Sequence, residues 1–127
     1  MLKRKVWSDL EGWRKRGASK ALLIAGARQI GKTTIVREFA KSNYRCFAEL
    51  NFLEDPKAAS IFEGSLNADE IVANLTAYLR VPLEPGNTLV LLDEIQEYPA
   101  ARTAIKFLVE DGRFDYVETS SLLGVKT

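Results

Sequence analysis

Lys20-Ala-Leu-Leu-Ile-Ala-Gly26-Ala-Arg-Gln-Ile-Gly31-Lys32-Thr33 is the stretch that decides the fold. Its first six residues form a short apolar run ahead of a glycine, which suits a strand buried in a parallel sheet. The next eight match G-x-x-x-x-G-K-[ST] at every fixed position. Gly26 and Gly31 permit backbone angles and close approaches that a side chain would block. Backbone N–H groups across Ala27, Arg28, Gln29 and Ile30 then point inward at phosphate oxygens. A helix starting at Lys32 adds its positive dipole end. Lys32 is placed to reach β- and γ-phosphates and Thr33 offers a hydroxyl to Mg²⁺, with Thr34 beside it in the same cradle. The expected ligands are therefore ATP, or a close purine nucleotide, and Mg²⁺.

A second stretch supplies the acidic partner. Thr88 to Leu92 reads as the clearest buried strand, and Asp93-Glu94 follows it directly. Two charges after a buried run belong at a strand's solvent-facing tip. There Asp93 holds Mg²⁺, usually through water, and Glu94 orients and deprotonates an attacking water. Gln96 is placed either to order that water or to make a polar contact at helix entry.

The elements around these two motifs alternate. Leu2, Val6, Leu10 and Trp13 recur at helical spacing between basic residues, so residues 1–17 read as a basic amphipathic helix ending near Gly17. A helix from Lys32 to Ser42 turns Ile35, Val36 and Phe39 toward the core. Tyr44 to Phe52 reads as a strand carrying Cys46 as buried filler. A short helix follows over residues 57–63. Asn67-Ala-Asp-Glu70 is a capping box in the broad sense, ahead of Ile71, Val72, Leu75, Tyr78 and Leu79 on one face. Pro82 and Pro85-Gly86 close that helix. Pro99 opens another helix, with Ala101, Ala104, Ile105 and Leu108 on its stripe, and Phe114 to Thr119 forms the last strand. Strands alternating with helices call for an α/β layered fold with a mainly parallel sheet, whose ligands sit at the carboxyl ends of the strands. Both motifs fall there.

Composition narrows the chemistry. The chain has 127 residues, 46% apolar and 28% charged, the balance of one ordinary globular domain. It contains no histidine and a single cysteine, which excludes a Cys/His zinc site, a His-based triad and an internal disulfide. No apolar stretch is long enough to span a membrane and no secretory signal is visible, so the expected location is the cytoplasm. The net charge of +1 hides an asymmetry, because Lys3, Arg4, Lys5, Arg14, Lys15, Arg16 and Lys20 crowd the first 20 residues against Asp9 and Glu11. Such an arm can attract nucleic acid or acidic lipid, or it can be a solvated helix face.

Residues 26–33, Leu91-Leu-Asp-Glu-Ile-Gln96 and Glu118-Thr-Ser-Ser-Leu-Leu-Gly124, with Glu110-Asp-Gly-Arg-Phe-Asp-Tyr116 between the last two, together resemble the prokaryotic AAA-type ATPases. In those proteins a C-terminal domain of unknown function follows the ATPase domain. The resemblance covers nearly the whole chain and makes residues 18–127 part of an ATPase core. It implies a sheet order of 5-1-4-3-2 and a polar sensor of the γ-phosphate at the tip of the fourth strand. Thr119 and Ser121 both match that position's polar motif, and Ser120 departs from it, since the family usually has glycine there. The family's fifth strand, lid, second sensor, arginine finger and C-terminal domain are not represented in this length. The expected sheet is therefore 1-4-3-2, with the phosphate-loop strand on an edge that residues 1–16 cover or flank, and the chain reads as a fragment or truncated copy of the module.

Arg102 and Arg113 are candidate trans-acting arginines or solvated surface groups, Arg28 is placed to touch phosphate or a neighbouring subunit, and the resemblance implies a homo-oligomer or a C-terminal domain as partner. An arginine finger is worth ~10³–10⁵ in rate, so this length alone is expected to hydrolyse ATP slowly. The alternatives are a module that holds nucleotide without useful turnover, a nucleic-acid-associated fragment acting through residues 1–20, and a phosphotransferase. Glu94 beside Asp93 favours water as the acceptor. The guanine-reading Asn-Lys-x-Asp string is absent, which favours adenine.

Overall fold

A computed structural model describes residues 2–26, 31–64 and 67–121. Residues 27–30 of the expected phosphate loop and the Leu-Leu-Gly string after Ser121 lie outside the described residues. The helices are α1 (Leu2–Lys15), α2 (Lys32–Asn43), α3 (Ala68–Leu79) and α4 (Ala100–Asp111), and the strands are β1 (Leu22–Gly26), β2 (Cys46–Asn51), β3 (Thr88–Asp93) and β4 (Asp115–Ser121). The strands form one parallel sheet in the order β1-β4-β3-β2, the order expected.

The period-2 alternation of β3 sorts the core into two halves. Leu89 and Leu91 face α1 and α2, where Val6, Leu10, Trp13, Ile35, Val36 and Phe39 pack with Ile24 and Val117. Val90 and Leu92 face the other way, against Ile71 and Leu75 of α3, Ala104, Ile105 and Leu108 of α4, and Tyr116. Every residue of β3 is buried, as a central parallel strand covered on both faces requires. Leu91 is completely buried. Its replacement by alanine is expected to cost ~2–5 kcal/mol of stability, read as a lowered urea midpoint, because a central strand cannot collapse around the cavity. Leu23 is 41% exposed. The same change there is expected to leave the midpoint nearly unmoved.

Helix boundaries follow local chemistry. The Asn67 side chain accepts from the N–H groups of Asp69 and Glu70 at 2.8 and 3.3 Å, which caps α3, and the two carboxylates sit at its positive end. That helix stops before the prolines, at Arg80, which takes the left-handed conformation with φ 56°. Gly112 does the same for α4 with φ 80°, as its sequence position predicts. The short helix expected over residues 57–63 is a 3₁₀ segment, Pro56–Phe62, and a second 3₁₀ turn, Ile95–Glu97, has no periodicity that would announce it. Cys46 is half-buried rather than core filler, because it stands at the start of an outer strand.

α1 lies on the α2 side of the sheet. It buries Ile24 of the edge strand, and the Trp13 indole donates to the Lys20 carbonyl at 2.6 Å. Trp7, which falls off the helical stripe, packs edge-on against Phe39 at 5.2 Å. Part of the helix's basic charge is matched within the chain. Lys3 pairs with Glu38 at 3.5 Å and Lys5 with Asp9 at 3.3 Å, and the Arg14 guanidinium lies 4.8 Å over the Tyr44 ring. Among the described residues no helix is long and apolar enough to cross a membrane.

Candidate functional site

Parallel pairing carries the carboxyl ends of all four strands to one rim. Gly26 stands in register with Ser121, and Asn51 with Asp93. Leu92 pairs with Glu118, so the next residues, Asp93 and Thr119, lie side by side. The polar residues gathered here are unusually buried: Lys32, Asp93, Glu94, Thr119 and Ser121 are each less than a tenth exposed.

Gly31 precedes α2 with φ 74° and ψ 22°, and its carbonyl accepts the helix's first bond, from the Ile35 N–H at 3.2 Å. Among the described residues, nothing lies within 4 Å of where a Cβ would be built on Gly31. The left-handed backbone, not crowding by those residues, is therefore what asks for glycine at this position.

The Lys32 ammonium is turned inward. It donates to the Gly26 carbonyl at 3.0 Å and the Ser120 carbonyl at 2.9 Å, and lies 3.5 Å from the Ser121 hydroxyl. It thus bridges the tips of β1 and β4 and places a buried positive charge at the strand rim. Thr34, by contrast, is exposed in the first turn of α2.

Asp93 is held from three elements. The Thr33 hydroxyl of α2 is 2.9 Å from both carboxylate oxygens, the Asn51 amide of β2 donates to Oδ2 at 3.1 Å, and the Thr119 hydroxyl of β4 donates to Oδ1. Asn51 is itself fixed, because its Oδ1 accepts from the N–H groups of Leu53 and Glu54 at 2.9 Å each. The sequence reading missed Asn51. A polar residue at the carboxyl end of a strand neighbouring β3 was the available signal, but it becomes one only once the order of the strands is known.

Glu94 takes the left-handed conformation with φ 57° and ψ 48° although it carries a side chain. Such a backbone costs ~1–3 kcal/mol and persists only where its surroundings hold it. Its N–H donates to Thr119 Oγ1 at 3.0 Å, and its Oε1 accepts from Gln96 Nε2 and from the Ser121 hydroxyl at 2.8 Å each. Gln96 Oε1 in turn accepts from the Ser121 N–H at 3.2 Å. Gln96 therefore ties the 3₁₀ turn after β3 to the end of β4.

Two of the candidate arginines, Arg102 and Arg113, have carboxylate partners. Arg102 lies 3.2 Å from Glu118, whose pKa is pushed up by burial and drawn partly back by that guanidinium. Arg113 pairs with Asp69 and, at 3.0 Å, with Asp111. Arg28 lies outside the described residues.

No group of three or more His, Cys, Asp or Glu is gathered for a metal among the described residues. One carboxylate and one hydroxyl, Asp93 and Thr33, fit Mg²⁺ nevertheless. This ion keeps several waters and is shared with substrate phosphates instead of being caged by protein.

A parallel sheet in this order, with a glycine-lysine-threonine helix entry beside the acidic tip of β3, makes the fold that of a phosphate-loop NTPase. A family model described as an AAA domain matches residues 18–126, and the chain belongs to that family. The family is one of ATPase-type, nucleotide-binding domains. Comparison with curated proteins returned no match.

Proposed function

We propose that this chain binds ATP with Mg²⁺ through a Walker A loop at residues 26–33 and a Walker B pair at Asp93 and Glu94, and that the intact protein hydrolyses it to drive a conformational change. The observation that carries the reading is the meeting of Lys32, Thr33, Asp93 and Glu94 at one strand rim, all but Thr33 buried. The loop amides and the start of α2 receive the phosphates. The Lys32 ammonium leaves its carbonyl acceptors for β- and γ-phosphate oxygens. Thr33 and Asp93 are the residues that would hold Mg²⁺, which supplies neutralisation of phosphate charge. Glu94 orients a water and takes its proton as the water attacks the γ-phosphorus, with ADP as the leaving group. Ser121, whose hydroxyl touches the Glu94 carboxylate and approaches Lys32, is the better placed of the two sensor candidates.

The intrachain ion pairs of Arg102 and Arg113 support surface roles for both. Slow turnover in isolation follows if the arginine that completes the site comes from elsewhere.

Thermal unfolding with ATP and GTP, each with and without Mg²⁺, tests the proposal. ATP with Mg²⁺ at 100 times its dissociation constant is expected to add ~2.7 kcal/mol. Omitting Mg²⁺ should shrink the shift, and GTP should give less. No shift with either nucleotide in a folded chain contradicts the reading.

A further inference from the structure

We propose that Thr119 is a positioning residue: its one hydroxyl aims Asp93 and fixes the backbone of Glu94 at the same time. The inference rests on the nucleotide reading above and goes beyond it by giving Thr119 a job other than sensing phosphate.

The geometry is specific. Thr119 is completely buried on β4, so its side chain has no face open to a ligand. Its hydroxyl proton is directed at Asp93 Oδ1, and the same oxygen accepts the Glu94 N–H at 3.0 Å. A hydroxyl has one proton to give, and here the Asp93 carboxylate receives it. A phosphate oxygen, which needs a donor, is left with nothing from this side chain. Ser121, two residues on, has the neighbours a sensor needs.

The Glu94 backbone is the reason such a brace is required. A side-chain-bearing residue in the left-handed region relaxes unless its flanking groups are held. Glu94 turns the chain from β3 into the 3₁₀ turn Ile95–Glu97, and its N–H meets a side chain of β4. The Thr119 oxygen receives it. The Asp93 carboxylate and the Glu94 backbone N–H thereby share one anchor, and a disturbance of either is felt by the other through a single oxygen.

Two substitutions at Thr119 test this. Thr119→Val keeps the branched shape and deletes the hydroxyl, and Thr119→Ser keeps the hydroxyl. On the nucleotide-free chain, hydrogen exchange of the Glu94 amide is read by NMR. On the loaded chain, ATP affinity is titrated with Mg²⁺ and in EDTA, and kcat and KM are separated. Thr119→Val should lose protection of the Glu94 amide. It should also lose ~10–100-fold in the Mg²⁺-dependent part of ATP affinity and in kcat, the usual cost of removing a group that orients a metal-holding residue. Affinity in EDTA should stay near wild type, KM for ATP-Mg²⁺ should rise in step with the lost Mg²⁺-dependent affinity because slow chemistry makes KM report binding, and Thr119→Ser should restore each loss. A folded Thr119→Val chain with wild-type amide protection and wild-type Mg²⁺ dependence overturns the proposal. Should the valine variant fail to fold, Thr119→Cys, similar in size and a weak donor, is read by the same criteria. Absence of Mg²⁺-dependent ATP binding in the wild type sinks the nucleotide reading instead, and the amide measurement then decides the role of Thr119 by itself.

Discussion

Glu94→Gln is expected to slow single-turnover ATP hydrolysis by ~10²–10⁴-fold, the usual worth of a positioned general base. The substitution is nearly isosteric, and the side-chain oxygen can still accept from Ser121 and Gln96, which now hold Oε1 at 2.8 Å. The left-handed turn and its bond to Thr119 involve only the backbone of residue 94 and should survive. What disappears is the basicity needed to take a proton from water. ATP-Mg²⁺ affinity should therefore stay close to wild type while kcat falls, the signature of a group that acts only in the transition state. Equal rates for variant and wild type would leave a nucleotide-holding module without a Glu94-dependent reaction.

Lys32→Ala has the largest expected effect on binding. Removing one partner from a desolvated charge pair costs roughly 2–5 kcal/mol, about 30- to 4,000-fold in Kd. Lys32 is 3% exposed, so on the proposed function its bonds to phosphate would form largely away from water and sit toward the upper part of that range. The substitution should also be felt without ligand. The ammonium now joins the Gly26 and Ser120 carbonyls, and alanine leaves both without that donor, a loss of ~1–3 kcal/mol in unfolding free energy. Arginine is not a conservative replacement, because a planar fork cannot take the place of a compact ammonium between two strand tips.

The sheet was legible in the residues for a simple reason. Apolar β3, with alternate residues facing opposite layers, and the glycine-lysine helix entry are local patterns that need no tertiary knowledge. The order of the strands is different. It came from the family resemblance, since periodicity alone does not say that β4 lies between β1 and β3. Features that depend on that neighbourhood were accordingly hidden. Asn51 reaches Asp93 because β2 pairs with β3 in a particular register, and nothing within Glu49-Leu-Asn51 announces it. The left-handed turn at Glu94 opposes the ordinary preference of glutamate and is held by a residue 25 positions away. Thr119 and Ser121 were indistinguishable as strand-end hydroxyls, and they separate only when one is seen tied to Asp93 and the other beside Lys32. Arg102 and Arg113 look alike as candidate fingers until their carboxylate partners on distant segments come into view.

Calorimetric titration of ATP-Mg²⁺ into the wild-type chain and into Lys32→Ala, with urea unfolding run on both, tests the central claim most directly. Saturable binding by the wild type and a loss of at least ~100-fold in the folded variant is the outcome expected of a phosphate-binding ammonium. A folded variant that binds ATP-Mg²⁺ as tightly as the wild type contradicts it, and would remove polyphosphate recognition from this strand rim.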